Sequence, residues 1–121
     1  MAHPRTTIDA PVPELPVRDV AEAQAYYRDK LGFEVAWTYP DAAMGAVTRG
    51  PLAIFFRRAT SSFEPRTHWM FAEDVDATYR EMVDRGADIV DDLGDKPWRL
   101  RQFTIADLNG HRFHIHHDLD E

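Results

Sequence analysis

The sequence predicts an α+β domain made of two βαβββ modules, and three observations carry that prediction. The first is an internal repeat. Val17-Arg18-Asp19-Val20, a helical stretch and Gly32-Phe33-Glu34-Val35 are echoed by Ala72-Glu73-Asp74-Val75, a second helical stretch and Gly86-Ala87-Asp88-Ile89. Asp19 and Asp74 are 55 positions apart and Gly32 and Gly86 are 54 apart, so the copies stay in register with one residue of slip. The second is the change of hydrophobic period, helical within each copy and strand-like after it. The third is length: 121 residues suffice for one core, so the copies are halves of a single domain rather than two domains. Neither half can bury a small sheet alone, which favours a joined or swapped sheet with a cleft between the halves.

Module one is expected over about residues 10–58, a polar linker over about 59–66 and module two over about 67–118. The first strand covers Val12 to Val17, and Asp19 follows as a helix N-cap with Glu22 three residues on, a carboxylate form of the capping box. Val20, Ala23, Tyr27 and Leu31 make one helical stripe, and Gly32 is the left-handed stop. Phe33 to Thr38, Ala43 to Arg49 and Leu52 to Arg58 read as strands separated by Pro40-Asp41 and Gly50-Pro51. In module two the strand is Thr67 to Ala72 and the cap Asp74. Val75, Tyr79, Met82 and Val83 form the stripe to be buried, and Gly86 the stop. Ala87 to Val90, Arg101 to Ala106 and Arg112 to His117 complete the pattern, with Asp107 to Gly110 as a hairpin turn.

Composition narrows the function. A hydrophobic share of 44% with 29% charged residues is that of an ordinary globular domain. The formal charge of −7 argues against a nucleic-acid surface, and no apolar run reaches membrane-spanning length. Without cysteine there is neither a disulfide framework nor thiolate chemistry. With no apolar leader at the N-terminus, the expected compartment is the cytoplasm. Ser61 and Ser62 lack a nucleophile-elbow context, there is no glycine-rich phosphate loop, and Asp91-Asp92 reads as a solvated strand exit rather than an acid–base pair.

The ordered set Leu15–Val20, Tyr26–Val35, Glu73–Ala77, Arg85–Ala87, Lys96–Trp98 and Phe103–Gly110 resembles the vicinal oxygen chelate superfamily, which groups glyoxalases, extradiol dioxygenases and bleomycin-resistance proteins. The set spans almost the whole chain and is closest to the bleomycin-resistance-like members. The resemblance implies curved mixed sheets forming cups, commonly by pairing module one of one subunit with module two of its mate. The expected assembly is therefore a homodimer, in swapped form, with two clefts.

Alternation along the strands suggests which side chains line such a cup. Leu15 and Val17 pack on the first helix, leaving Val12 and Glu14 in the cleft. Leu52, Ile54 and Phe56 are core, leaving Ala53, Phe55 and Arg57. In module two Trp69 and Phe71 are taken as core, which leaves His68, Met70 and Ala72 concave. Phe113 and Ile115 are core on the last strand, which leaves Arg112, His114 and His116.

The family's metal positions, carried over by motif, fall on Val12, Phe55, His68 and His114. Only two of these can ligate, whereas lasting zinc or iron sites mostly use three protein donors. Glu14 is the nearest third donor, displaced by roughly 6 to 7 Å along the strand. His114 and His116 share a strand face, but His116-His117-Asp118 reads more simply as a solvated strand end. Pro97-Trp98 matches a loop that closes the cleft in resistance-type members, and its indole beside Phe55 would stack on a flat ligand, contributing about 0.5 to 1.5 kcal/mol.

Two functions follow. The first is a metal-free binder of an aromatic or cationic small molecule through Val12, Glu14, Phe55, Arg57, His68, Met70, Trp98 and His114. The second is a metal-dependent lyase, isomerase or dioxygenase of the glyoxalase type. It would use zinc, iron, nickel or manganese on His68 and His114, with Glu14 as third ligand or as general base. Loss of ligands at Val12 and Phe55 favours the first, with no cofactor, no nucleic acid and no membrane as partners.

Overall fold

A computed structural model of the chain describes residues 2–119. The first module comprises β1 (Glu14–Val17), α1 (Val20–Leu31), β2 (Glu34–Thr38), β3 (Met44–Arg49) and β4 (Leu52–Arg58). The second comprises β5 (Thr67–Phe71), α2 (Val75–Arg85), β6 (Asp88–Asp95), β7 (Leu100–Ala106) and β8 (Arg112–Asp118). Each module folds its own four-stranded sheet, in the orders β1-β4-β3-β2 and β5-β8-β7-β6. In both sheets the first strand runs parallel to the last and the remaining pairs are antiparallel. The two βαβββ modules are thus as the repeat predicts. Among the described residues no helix is long and apolar enough to cross a membrane.

The caps explain where each helix starts and stops. Asp19 has an extended backbone and its carboxylate accepts the N–H of Glu22 at 2.9 Å; Asp74 does the same for Ala77 at 3.1 Å. Gly32 and Gly86 end the helices at φ of 75° and 84°, a region that costs any other residue type steric strain. Between the caps, Val20, Ala23, Tyr27 and Leu31 are buried against Leu15, Val17, Ile54 and Phe56. Burial of each large apolar side chain contributes roughly 1.5 to 3 kcal/mol. A Cβ at Gly45 would lie 2.6 Å from Gln24 Nε2 and 2.7 Å from Val20 Cγ1, so the bare glycine is what lets α1 sit down on β3.

Three expectations need correction. Val83 is 46% exposed because α2 turns Val75 and Met82 inward instead, with Tyr79 laid edge-on to Phe103. β6 runs on to Asp95 instead of stopping at Val90, because irregularities after Ile89 and Asp91 let the polar stretch remain paired with β7. Most consequential is β5, whose phase is the reverse of the expected one. Met70 and Ala72 pack on the core and His68 stands in register with buried Phe113, while Trp69 and Phe71 are exposed.

The modules are joined by polar contacts as well as by the shared core. Tyr27 donates to Asp107 Oδ2 at 2.6 Å, and Tyr26 donates to the Ala106 carbonyl at 3.2 Å. Burial, reinforced by the Asp107 charge, pushes the Tyr27 hydroxyl well above its ordinary pKa and keeps it a donor. His111 is fully buried, and its Nδ1 accepts the N–H of Arg66 at 2.9 Å. Its Nε2 must then carry the proton that reaches the Pro16 carbonyl at 2.6 Å, tying β1 to the start of β8.

Across the other end of the junction Arg49 grips Glu81 with two hydrogen bonds at 2.8 and 2.9 Å, and Arg85 adds a third at 2.8 Å. The Arg49 hydrogen bonds, aided by Arg85, hold the Glu81 carboxyl down at about 2. A depressed carboxyl stabilises the fold above its unfolded pKa and loses that contribution as pH falls toward the folded value. Glu81→Gln should therefore lower stability at neutral pH, by about 1 kcal/mol once solvent screening is allowed for. Urea denaturation of both proteins should show that difference shrinking as pH falls from about 4.5 toward 2. A difference that stays constant across this window would contradict the assignment.

Candidate ligand-binding site

Each sheet has one face sealed by its helix and one face left bare, and strand phase sorts the candidate residues between them. On the first sheet Glu14, Phe55 and Ala46 lie side by side across β1, β4 and β3, with Trp37 next on β2. Glu14 and Phe55 alternate with the buried, helix-facing Leu15, Ile54 and Phe56 and so occupy the bare face, and the register carries Ala46, itself covered, and Trp37 onto the same face. There the Trp37 ring meets Phe55 edge-on at 5.2 Å and Tyr39 at 5.5 Å. Arg57, two residues beyond Phe55, pairs with Glu14 at 2.9 Å, both side chains about half exposed. Glu14 is therefore already neutralised by a guanidinium.

On the second sheet the bare face carries Trp69 beside His114 and Phe71 beside His116, with Thr104 and Gln102 opposite the two histidines on β7. Trp69 contacts both imidazoles, at 4.5 Å to His114 and 5.6 Å to His116. His114 Nδ1 lies 2.7 Å from Thr104 Oγ1. Burial pushes the His114 pKa down, Arg112 and His116 push in the same direction, and Asp91 opposes them, so a neutral ring is favoured. His116 Nδ1 is buried with no hydrogen-bond partner among the described residues. Such an atom costs free energy until a partner meets it.

The Pro97-Trp98 turn delivers a third aromatic wall. Arg99 adopts a positive φ of 70°, its N–H bonds the Lys96 carbonyl, and Lys96 is anchored to Asp91 at 2.8 Å. The indole of Trp98 donates to Gln102 Oε1 at 2.9 Å, which lays the ring over the bare face of β7. All three tryptophans of the chain thus stand on bare faces, with Trp37 38%, Trp69 54% and Trp98 55% exposed.

The eight residues singled out from sequence are not brought together as one lining. Glu14, Phe55 and Arg57 share the bare face of the first sheet, and His114 and Trp98 that of the second. His68 and Met70 face the helix side. His68 lies 6.1 Å from Phe113 between ring centres and its Nδ1 is buried without a partner among the described residues. Val12 precedes β1 in the extended N-terminal segment, where it and Pro11 wall a groove of about 360 Å³ with Leu52, His68 and Trp69. The reversed β5 places Trp69 and Phe71 at the site instead, two residues whose large apolar side chains predict the core. The repeat held the missing signal: a shift of 55 positions carries Leu15 and Val17 onto Met70 and Ala72, and Glu14 onto Trp69.

This geometry decides the fit of a metal. His68 and His114 lie on opposite faces of the same sheet, so they do not form a shared donor pair, and Glu14 is on the other sheet and bound to Arg57. Among the described residues no group of three or more His, Asp or Glu side chains is placed to hold a metal ion. The chain's own donors do not fit the expected two-histidine, one-carboxylate centre.

Solved structures share this architecture. TioX from Micromonospora sp. ML1 is 27% identical, with 89% of this chain and 97% of that one aligned at a TM-score of 0.79. A bleomycin resistance determinant encoded on the transposon Tn5 is 20% identical over 92% of this chain and 98% of that one, TM-score 0.79. A bleomycin-binding protein complexed with bleomycin is 22% identical over 94% of this chain and all of that one (100%), TM-score 0.75. No curated protein matches the sequence. The sequence signature of the glyoxalase/bleomycin resistance protein/dioxygenase superfamily matches residues 7–115, nearly the whole chain, and the chain belongs to that superfamily.

Proposed function

We propose that this chain is a metal-free small-molecule-binding protein of the glyoxalase/bleomycin-resistance type, holding a flat aromatic ligand between the bare faces of its sheets. The observation that carries this reading is the placement of all three tryptophans on those faces. An exposed indole is a costly surface unless something covers it, and its planar ring suits a planar partner. Among the described residues the site offers no converging set of metal donors, which disfavours a metal-dependent lyase or dioxygenase reading. A cationic group on the ligand would be drawn to the indole faces rather than to Glu14, whose charge Arg57 already meets.

The second sheet needs a covering layer, and the first sheet of another copy has the complementary character. Trp69, Phe71 and Trp98 on one would face Trp37, Tyr39 and Phe55 on the other. We therefore place the clefts in a homodimer, one at each pairing of unlike modules. The neutral His114 and the unpartnered His116 Nδ1 supply hydrogen-bonding points on an otherwise aromatic wall. The fold relationship to a bleomycin-binding protein supports a cleft of this type and leaves the ligand's identity to its own chemistry.

Titration of the dimer with planar heteroaromatic compounds, a bithiazole or a quinoline among them, should quench tryptophan fluorescence in a saturable way. Trp98→Ala should weaken binding about three- to tenfold, the scale of one lost stacking contact, with the far-UV spectrum unchanged. Unchanged affinity would remove Trp98 from the site. Metal analysis of protein purified without an affinity tag should find no stoichiometric zinc, iron, nickel or manganese. A stoichiometric metal lost on His114→Ala would overturn the metal-free reading.

A further inference from the structure

We infer that the cavity between the end of β4 and the inter-module linker binds a small oxyanion, either free phosphate or the phosphate group of a larger ligand. The cavity measures about 470 Å³, and its wall carries three guanidinium groups, those of Arg57, Arg58 and Arg66, with the hydroxyls of Thr60, Ser61 and Ser62. One carboxylate, Glu14, faces them. The local balance is therefore cationic in a chain whose formal charge is −7.

Arg28, Arg49, Arg85, Lys96 and Arg101 all sit in ion pairs with carboxylates. Arg57 gives Nη2 to Glu14 at 2.9 Å, whereas Arg58 reaches only the Asp41 carbonyl, at 3.3 Å. Neither Arg58 nor Arg66 has a carboxylate within ion-pair distance among the described residues. The N–H groups of Thr60, Ser61 and Ser62 likewise have no acceptor among them. Guanidinium forks, hydroxyls and free backbone N–H groups are the donor set that tetrahedral oxyanions take.

The linker is held in place to present them. At one end the Ala59 N–H bonds the Val17 carbonyl at 2.8 Å, and at the other the Arg66 N–H bonds His111 Nδ1 at 2.9 Å. Between them Phe63 stacks on the buried His111 ring at 5.7 Å. A loop pinned at both ends and in its middle loses little further freedom on binding. Because Glu14 and Arg57 also stand on the bare face of the first sheet, the cavity adjoins that face, yet its chemistry does not depend on an aromatic ligand.

Calorimetric titration with inorganic phosphate at fixed ionic strength, and in parallel with phenyl phosphate, tests the inference. One saturable site per chain is expected for both. Arg58→Gln combined with Arg66→Gln should weaken phosphate binding about tenfold or more, while Arg80→Gln, on α2 outside the cavity, should leave it unchanged. Phenyl phosphate binding several-fold tighter than phosphate, with tryptophan quenching, identifies the anionic end of a cleft ligand; equal affinities identify a free oxyanion. No saturable binding, or an equal loss in Arg80→Gln, would overturn the site. Neither result depends on the response of Trp98→Ala, so the two readings fail separately.

Discussion

Everything at the site depends on the phase of the strand that precedes each helix. The N-cap carboxylates of Asp19 and Asp74 fix where the helices begin, and the helices must cover one face of the sheets they follow. Counting back two and four residues from each cap gives the side chains held against the helix: Val17 and Leu15 in one module, Ala72 and Met70 in the other. The residues between them are forced to the bare face. A slip of one position would exchange the two sets entirely.

That constraint turns an apparently ordinary strand, Thr67–Phe71, into the aromatic wall of the candidate site. Trp69 and Phe71 flank the imidazoles of β8, Trp98 is laid beside them by a turn anchored through Lys96 and Asp91, and the first sheet carries Trp37, Tyr39 and Phe55 on its own bare face. The same phase sends His68 to the far side of the sheet from His114. One geometric fact thus favours stacking and removes the shared imidazole pair on which metal chemistry would have rested.

Much of the fold was legible in the sequence because the signals were local and consistent. Asp19, Asp74, Gly32 and Gly86 announce the ends of both helices, and Asp107 to Gly110 the last hairpin, closed by the Gly110 N–H to the Asp107 carbonyl at 3.1 Å. Leu15, Val17, Ile54 and Phe56 alternate cleanly and are all buried. The site was less legible, since Trp69 and Phe71 outrank Met70 and Ala72 in apolar size. Hydrophobicity therefore argued for one phase of β5 and the repeat for the other, and the repeat prevailed. His111 was unreadable for a different reason: the two hydrogen bonds of its ring reach Pro16 and Arg66, far away in sequence, and no local pattern marks a histidine as a tie between modules.

The phase of β5 is open to direct measurement by nuclear Overhauser contacts in the unliganded protein. The His68 ring should show contacts to Phe113 and the Trp69 indole to His114, with the Met70 methyl near Ile115. Contacts from His68 to His114, with Trp69 instead touching Phe113 or Ile115, would reverse the strand and contradict the aromatic site.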